Sequence, residues 1–321
     1  MNMQEPVIVS ACRTPIGAYL GALLPFSAPA LGGFALAEAL RRSGLSPADV
    51  DECIMGNVVQ AGLGQNPARQ AVLQGGLGPS VNALTVNKVC GSSLKAVMLA
   101  AQAVKAGDAG VVLAGGMESM SNAPHLQRNL RQGVRMGNFQ TVDAMINDGL
   151  WCAANDVHMG NLAEYTAQKA GLARKELDEF AAASQQKAAA ATAAGAFKEE
   201  IVPLSIPQRK GDPLRLDVDE PVKPETTVES LSRLRPAFQK DGVVTAGNAP
   251  GITDGASAAV VTSRALAEER GLPILGVIRH YATSHIEPRD LFFAPIFAVR
   301  KVMDMGGYGI GDFDLIEANE A

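Results

Sequence analysis

Cys90, in the run Asn87-Lys88-Val89-Cys90-Gly91-Ser92-Ser93, is the residue of this chain best placed for covalent chemistry. A β-rich segment, Ala83-Leu84-Thr85-Val86, leads into it, and an apolar-periodic one through Leu94, Val97, Met98 and Ala101 leads away. The cysteine therefore falls between a strand and a helix, where the partial positive charge of first-turn amides favours a thiolate. Gly91 adds no side chain beside the sulfur, which lets a substrate approach and leaves amides to hold a developing oxyanion. The apolar helix implies that the thiol is buried and shielded from water. A second reading of the same residues is a small structural core cysteine, the commoner fate of a free thiol, and spacing alone leaves both open. Cys12, Cys53 and Cys152 lack this setting and read as structural.

Such a thiol needs a rigid frame, and the surrounding sequence alternates strand-like and helix-like runs. Strands are expected over 6–11, 53–59, 82–86 and 110–114, and helices over 30–43, 66–74 and after Cys90. That order predicts an α/β fold with a largely parallel sheet covered on both faces. From about Ser119 to Pro250 the character changes. The polar run 122–140, with Arg128, Arg131 and Arg135, reads as an exposed loop region; Ala-rich helices follow near 162–171 and 174–194. The Pro-punctuated stretch 203–236 reads as extended surface connection. The α/β style resumes over 256–263 and 274–283.

A faint internal repeat organises the chain further. Residues 37–57 align without gaps on 299–319, each as a helix end, a glycine (Gly44, Gly306), an acidic link and a strand ending in asparagine (Asn57, Asn319). Two like halves are implied, with the second cut off in mid-domain. By analogy with the first half, about 60 further residues are expected after Ala321.

Bulk properties narrow the function classes. The chain of 321 residues is 47% hydrophobic and 19% charged, which suits a large packed α/β core. Its net charge of −5 provides no general field for nucleic acid, so an anionic substrate would have to be met by local Lys, Arg or backbone amides. Residues 1–6 carry no basic leader, and the apolar stretches are strand-length, far short of a membrane span. With no Cys-x-x-Cys spacing, neither disulfides nor a zinc site is expected, and a cytoplasmic location is.

The ordered runs Ser10-Ala11-Cys12-Arg13-Thr14-Pro15-Ile16-Gly17, Gln65-Asn66-Pro67-Ala68-Arg69-Gln70-Ala71, the Cys90 loop and Gly115-Gly116-Met117-Glu118-Ser119-Met120-Ser121 resemble the thiolase family. Gly247-Asn248-Ala249-Pro250, Asp254-Gly255-Ala256 and Glu317-Ala318-Asn319-Glu320-Ala321 continue the resemblance through the whole chain. It implies an αβαβα layered fold from two pseudo-repeated halves, the second incomplete. The domains would be 1–119 (with 252–271 returning to it), a loop domain over 120–251, and the start of a C-terminal domain over 272–321. It also implies acyl exchange between coenzyme A thioesters and carbon by Claisen chemistry, with no permanently bound cofactor. The position of Cys90 matches the cysteine that carries the acyl group, and Asn319 an asparagine that positions a water in an oxyanion hole.

The segment 151–160, with Asn155-Asp156-Val157-His158-Met159-Gly160, is similar to the biosynthetic acetyl-CoA acetyltransferase type. By that likeness Leu150, His158, Met159, Ala246 and Pro250 would contact the coenzyme A substrate, and Lys223 and Ser230 its nucleotide end. Read alone, His158 is an ordinary polar residue at a helix start, and Lys223, Ser230 and Arg209-Lys210 belong to a solvated charged loop. Arg128 to Arg135 corresponds to an inter-subunit loop, which implies a tetramer. Pro250 replaces a serine that commonly hydrogen-bonds the pantetheine, and Leu291-Phe292-Phe293-Ala294 replaces a smaller run beside the acyl pocket. The family's Gly-His-Pro and Cys-x-Gly-Gly-Gly loops do not occur in the 321 residues, and none of His125, His158, His280 or His285 has that context. The 321 residues alone are therefore expected to turn over little. A degradative 3-oxoacyl-CoA thiolase and a non-catalytic thiolase-like binding or oligomerisation protein are the alternatives.

Overall fold

The computed structural model describes residues 4–321. Two compact units are distinguished. One takes in the chain up to Gly149 with Ala196–Pro221 and Ile252–Arg279; the other comprises Leu150–Gly195, Val222–Gly251 and His280–Ala321.

The first unit is built on a seven-stranded sheet. Its main strands are β1 (Pro6–Arg13), β2 (Glu52–Gly56), β3 (Asn82–Val86), β4 (Val111–Ser119), β5 (Thr253–Ser263) and β6 (Gly276–Val277), in the order β6-β1-β5-β4-β2-β3. β2 pairs parallel with β3 and β4, while β5 runs antiparallel between β1 and β4. The four strands of the N-terminal βα series thus all point one way, and the returning strand reverses between them. The sheet is mixed rather than largely parallel, because β5 comes from far along the chain and inserts at the centre. The strand expected over 274–283 shrinks to β6. It pairs with Val7 and Ile8, and its ladder ends at Pro6, where β1 itself begins.

Alternation along these strands sorts the core into two layers. Val7, Val9, Cys53, Met55, Leu113, Ala258 and Val260 face one cluster, with α1 (Ala28–Ser43) and α2 (Pro67–Gln74). Ile54, Val112, Ala114 and Val261 face the other, under α3 (Ser92–Ala106). α1 starts on Ser27, whose side chain accepts the Ala30 amide, and stops at left-handed Gly44. α3 buries the small stripe Ala96, Ala100 and Val104, so it lies close on the sheet. Arg13 clamps the excursion 196–221 to this unit through a bidentate pair with Asp219 (2.7 and 2.9 Å) and a bond to Glu200 (2.7 Å). Within that excursion Leu204, Ile206 and Leu216 are buried in the core, so the stretch is more than a surface connection.

The second unit holds α4 (Met159–Ala170), α5 (Arg174–Ala193), α6 (Val228–Ser232) and α7 (Ala294–Gly306), with a short hairpin of Trp151–Cys152 and Val157–His158. After α7 the chain copies the turn that follows α1. Gly307 takes the left-handed cap of Gly44, and Asp312 accepts the Gly309 N–H as Asp49 accepts the Ser46 N–H, each at the start of a 3₁₀ turn. The gapless alignment is off by one residue here, since Gly307 rather than Gly306 matches Gly44. Asp49-Val50-Asp51 corresponds to Asp312-Phe313-Asp314. Beyond that the copies part. β2 follows in the first, whereas 313–321 forms no strand and leaves Leu315 and Ile316 exposed, for want of a neighbouring strand to complete its hydrogen bonds.

Candidate functional site

Cys90 occupies a tight turn just ahead of α3, with Gly91 as the helix N-cap position. The turn closes through Gly91 N–H to the Lys88 carbonyl (3.1 Å) and Ser92 N–H to the Val89 carbonyl (3.0 Å). Val89 adopts φ +48°, a left-handed conformation that β-branched residues rarely take. Two side chains hold it there. Asn87 Oδ1 accepts the Val89 N–H (2.9 Å), and Ser92 Oγ accepts the Lys88 N–H (2.8 Å) while donating to the Val89 carbonyl (2.6 Å). The Cys90 thiol is exposed, which corrects the expectation of burial. The apolar stripe of α3 turns toward the sheet, whereas Cys90 lies before the first helical turn and outside that stripe. A methyl carbon at Gly91 would lie no closer than 3.5 Å to its surroundings, the Lys88 carbonyl oxygen, so no neighbour crowds that position.

The turn is seated on two strand ends. A methyl carbon at Gly56 would lie 2.7 Å from backbone atoms of Ser92 and Ser93, and one at Gly116 2.0 Å from Ser93 Oγ. Glycine is required at both because the first turn of α3 touches the backbones of β2 and β4. Beside them lies the carboxylate of Glu118, whose surroundings the sequence does not reveal. Glu118 accepts Asn57 Nδ2 (2.8 Å), Val58 N–H (2.8 Å) and Val59 N–H (3.1 Å). Burial pushes the Glu118 carboxyl up, against the lowering by those three donors, and the nearby Asp254 charge pushes it further up. Asn57 Oδ1 and Asp254 Oδ2 are buried without a hydrogen-bond partner. The available signal was an acid following Gly-Gly-Met on a buried strand.

The other candidate residues belong to the second unit. His158 is the N-cap of α4: its Nδ1 accepts the Gly160 N–H (3.0 Å), leaving the neutral ring's Nε2 to donate. It stacks on Phe238 at 5.0 Å between centroids, and burial lowers its pKa, so the neutral ring is favoured. Met159, half-buried, begins the same helix, and Leu150 ends the π-helical turn Met145–Leu150. α4 is tied to the 238–244 strand-like loop by Glu164, whose carboxylate accepts Val243 and Val244 N–H at 2.9 Å each.

Ala246 lies within, and Pro250 just after, a turn in which Thr245 and Asn248 bond one another's backbone, and both Ala246 and Pro250 are exposed. Asn248 Nδ2 donates to buried Asp178 (2.9 Å), which also pairs with Arg174 (2.8 Å); Arg174 in turn caps the Leu231 and Leu234 carbonyls at the end of α6. Ser230 is committed to a capping box with Thr227, and its hydroxyl donates to the Thr227 carbonyl (2.8 Å). Lys223 is exposed, its backbone N–H bonded to Gln185. Exposed Asn319 lies in irregular chain; its Oδ1 accepts the Ala321 N–H (2.9 Å), which leaves its amide donors outward. The strand expected to end on it does not form. Among the described residues no three His, Cys, Asp or Glu side chains gather as a metal site, and no helix is long and apolar enough to cross a membrane.

The thiolase N-terminal domain model matches residues 6–265. The acetyl-CoA acetyltransferase of Pseudomonas aeruginosa is 51% identical over 319 residues, covering 99% of this chain and 81% of that protein. The chain belongs to the thiolase family. The acetyl-CoA acetyltransferase of Cupriavidus necator has the same identity and coverage. The probable acetyl-CoA acetyltransferase of Escherichia coli is 47% identical over 319 residues, again 99% of this thiolase and 81% of its relative. The family match runs from β1 through the Cys90 turn and α3 to β5.

Proposed function

We propose that this thiolase is an acyl-CoA:acyl-CoA C-acyltransferase that makes or cleaves acetoacetyl-CoA. The observation that carries the reading is an exposed thiol on a constrained turn ahead of a helix N-terminus, in a chain 51% identical to acetyl-CoA acetyltransferases. In the condensing direction the Cys90 sulfur attacks the acetyl-CoA carbonyl and gives up its proton. The carbon–sulfur bond to coenzyme A breaks, and the departing thiol takes a proton. A base then removes an α-proton from a second acetyl-CoA. The enolate carbon attacks the acyl-thioester and expels the Cys90 thiolate, which completes the balance. The family's acid–base groups lie in the Gly-His-Pro and Cys-x-Gly-Gly-Gly loops, which do not occur in the 321 residues.

In this reading coenzyme A thioesters are substrates and no cofactor is permanently bound. Leu150, His158, Met159, Ala246 and Pro250 contact the substrate's pantetheine arm, and Lys223 and Ser230 its nucleotide end. The amide donors of Asn319 hold the water of an oxyanion hole. Pro250 has no N–H, so any contact there is apolar or through its carbonyl. The run 127–141, exposed at every residue and carrying Leu130, Val134, Met136 and Phe139, supports assembly into a tetramer. A reducing cytoplasm suits four free cysteines. Half-buried Phe292 and Phe293, where the family has smaller residues, restrict or reshape the acyl preference and leave one second reading, a degradative 3-oxoacyl-CoA thiolase. Relative cleavage rates of acetoacetyl-CoA and longer homologues separate the two.

The deciding experiment is mass spectrometry of the full gene product after incubation with acetyl-CoA. An acetyl group is expected on the Cys90 peptide and absent from Cys90→Ser. Acyl transfer onto the variant at the wild-type rate would overturn the assignment.

A further inference from the structure

We infer that Asn87 and Glu118 are positioning residues that hold the Cys90 turn in its reactive shape, an inference that rests on the reading of Cys90 as nucleophile. The contacts form one chain of hydrogen bonds from the sheet to the sulfur. Glu118, near the end of β4, gathers the Asn57 side chain and the Val58 and Val59 amides onto one carboxylate. That orients the Val58 peptide so that its carbonyl accepts Asn87 Nδ2 (3.3 Å). With its amide group held at one end, Asn87 presents Oδ1 to the Val89 N–H at 2.9 Å. Val89 is the residue at φ +48°, directly before Cys90.

A valine in that conformation relaxes toward the extended or helical regions unless its neighbours prevent it. Relaxation there would swing the next residue, and the sulfur with it. Ser92 braces the turn from the helix side, but its bonds join Lys88 and Val89 within the turn itself. The Asn87 side chain joins the turn itself, ahead of the helix, to the segment that Glu118 holds. A carboxylate suits the Glu118 position because its two oxygens accept three N–H donors at once; an amide would turn a donor toward one of them. Neither side chain reaches the Cys90 sulfur in a hydrogen bond, so their effect passes through the backbone of Val58 and Val89.

The test measures the rate of acyl-Cys90 formation from acetyl-CoA, the KM for acetyl-CoA, the iodoacetamide labelling rate of the Cys90 peptide and the melting temperature, in full gene product. Displacement of a reacting atom by about 1 Å costs on the order of a hundredfold in rate. Asn87→Ala is expected to slow acyl-Cys90 formation at least tenfold and to change Cys90 labelling. Because Asn87 is exposed, its melting temperature and KM should stay near wild type. Asn87→Asp keeps the acceptor for Val89 but loses the donor to the Val58 carbonyl, so it should recover only part of the rate. Glu118→Gln should act in the same direction, with Glu118→Asp the milder change. Wild-type acylation in Asn87→Ala would overturn the inference, as would a rate loss tracked by an equal loss of fold or carried wholly by KM. Failure to find any acyl group on Cys90 in the unmodified protein during turnover would instead sink the nucleophile reading, and the inference with it, before any variant is compared.

Discussion

Gly116→Ala tests how closely the helix that follows the Cys90 turn is seated on the sheet. The added methyl would lie 2.0 Å from Ser93 Oγ and 3.0 Å from Ser93 Cβ. Rotating the Ser93 hydroxyl relieves the first clash. The second remains, well inside the separation at which two carbons rest, so α3 must lift from β4. Overpacking of this kind costs about 1–3 kcal/mol. The same geometry defines the remedy. Ser93→Ala removes the oxygen and leaves the Cβ contact; Ser93→Gly removes both, at up to about 1 kcal/mol for glycine in a helix. In urea unfolding, Gly116→Ala should lower the midpoint at an unchanged slope. Pairing it with Ser93→Gly should recover most of the loss and pairing it with Ser93→Ala much less, a coupling of about 1 kcal/mol or more. Gly56→Ala is the control. Its methyl would meet Ser92 and Ser93 backbone atoms at 2.7 Å, which no trimming of the Ser93 side chain removes. Additive losses at positions 93 and 116, or rescue of Gly56→Ala by Ser93→Gly, would refute this account of the packing.

Three further outcomes are expected. Arg174→Ala strands the Asp178 carboxylate, 1% exposed, with Asn248 as its remaining partner, and should cost about 3–5 kcal/mol in denaturant unfolding. Hydrogen bonds from Arg41 and then Arg42 hold the Glu38 carboxyl down to about 2 from 4.5. Because the folded value lies below the unfolded one, this stabilisation is present above pH 4.5 and disappears as pH falls toward about 2. Glu38→Gln should flatten the pH dependence of the urea midpoint across that window, and an unchanged slope would contradict it. Burial pushes the Cys12 thiol up to about 11 and Cys53 higher still, whereas the Asn155 hydrogen bond lowers Cys152. Iodoacetamide at about pH 8 should therefore label exposed Cys90 and half-buried Cys152 in the native protein, and Cys12 and Cys53 only after unfolding, as read by peptide mass spectrometry.

Much of the frame was legible from local pattern. The limits of β3, the bounds of α1 and α2 and the glycine stop of α1 lie within a residue or two of where local pattern puts them, because each is decided by a few adjacent side chains. Cys90 could be singled out on the same ground, since a strand, a Cys-Gly pair and a helix are all local features. Its exposure could not, because which face of α3 meets the sheet is settled by the partners Ile54, Val112 and Ala114, remote in sequence. The reversal of β5 is of the same kind: an alternating apolar run forms a strand in either direction, and only its neighbours β1 and β4 decide which.

Residue by residue, the sequence picked out Cys90 as the candidate nucleophile, the strand that leads into it and the helix that begins beside the thiol. It also determined the repeated helix–glycine–acid turn, since caps and turns are written in four or five consecutive residues. Tertiary structure decided that Glu118 gathers Asn57, Val58 and Val59 across a separation of about sixty residues, and that Asn87 passes that hold to Val89. It also decided that 313–321 stays irregular although its turn matches the one before β2, and for one reason. A strand or a buried carboxylate is stable only with partners for its hydrogen bonds, and partners distant in sequence are supplied by the fold.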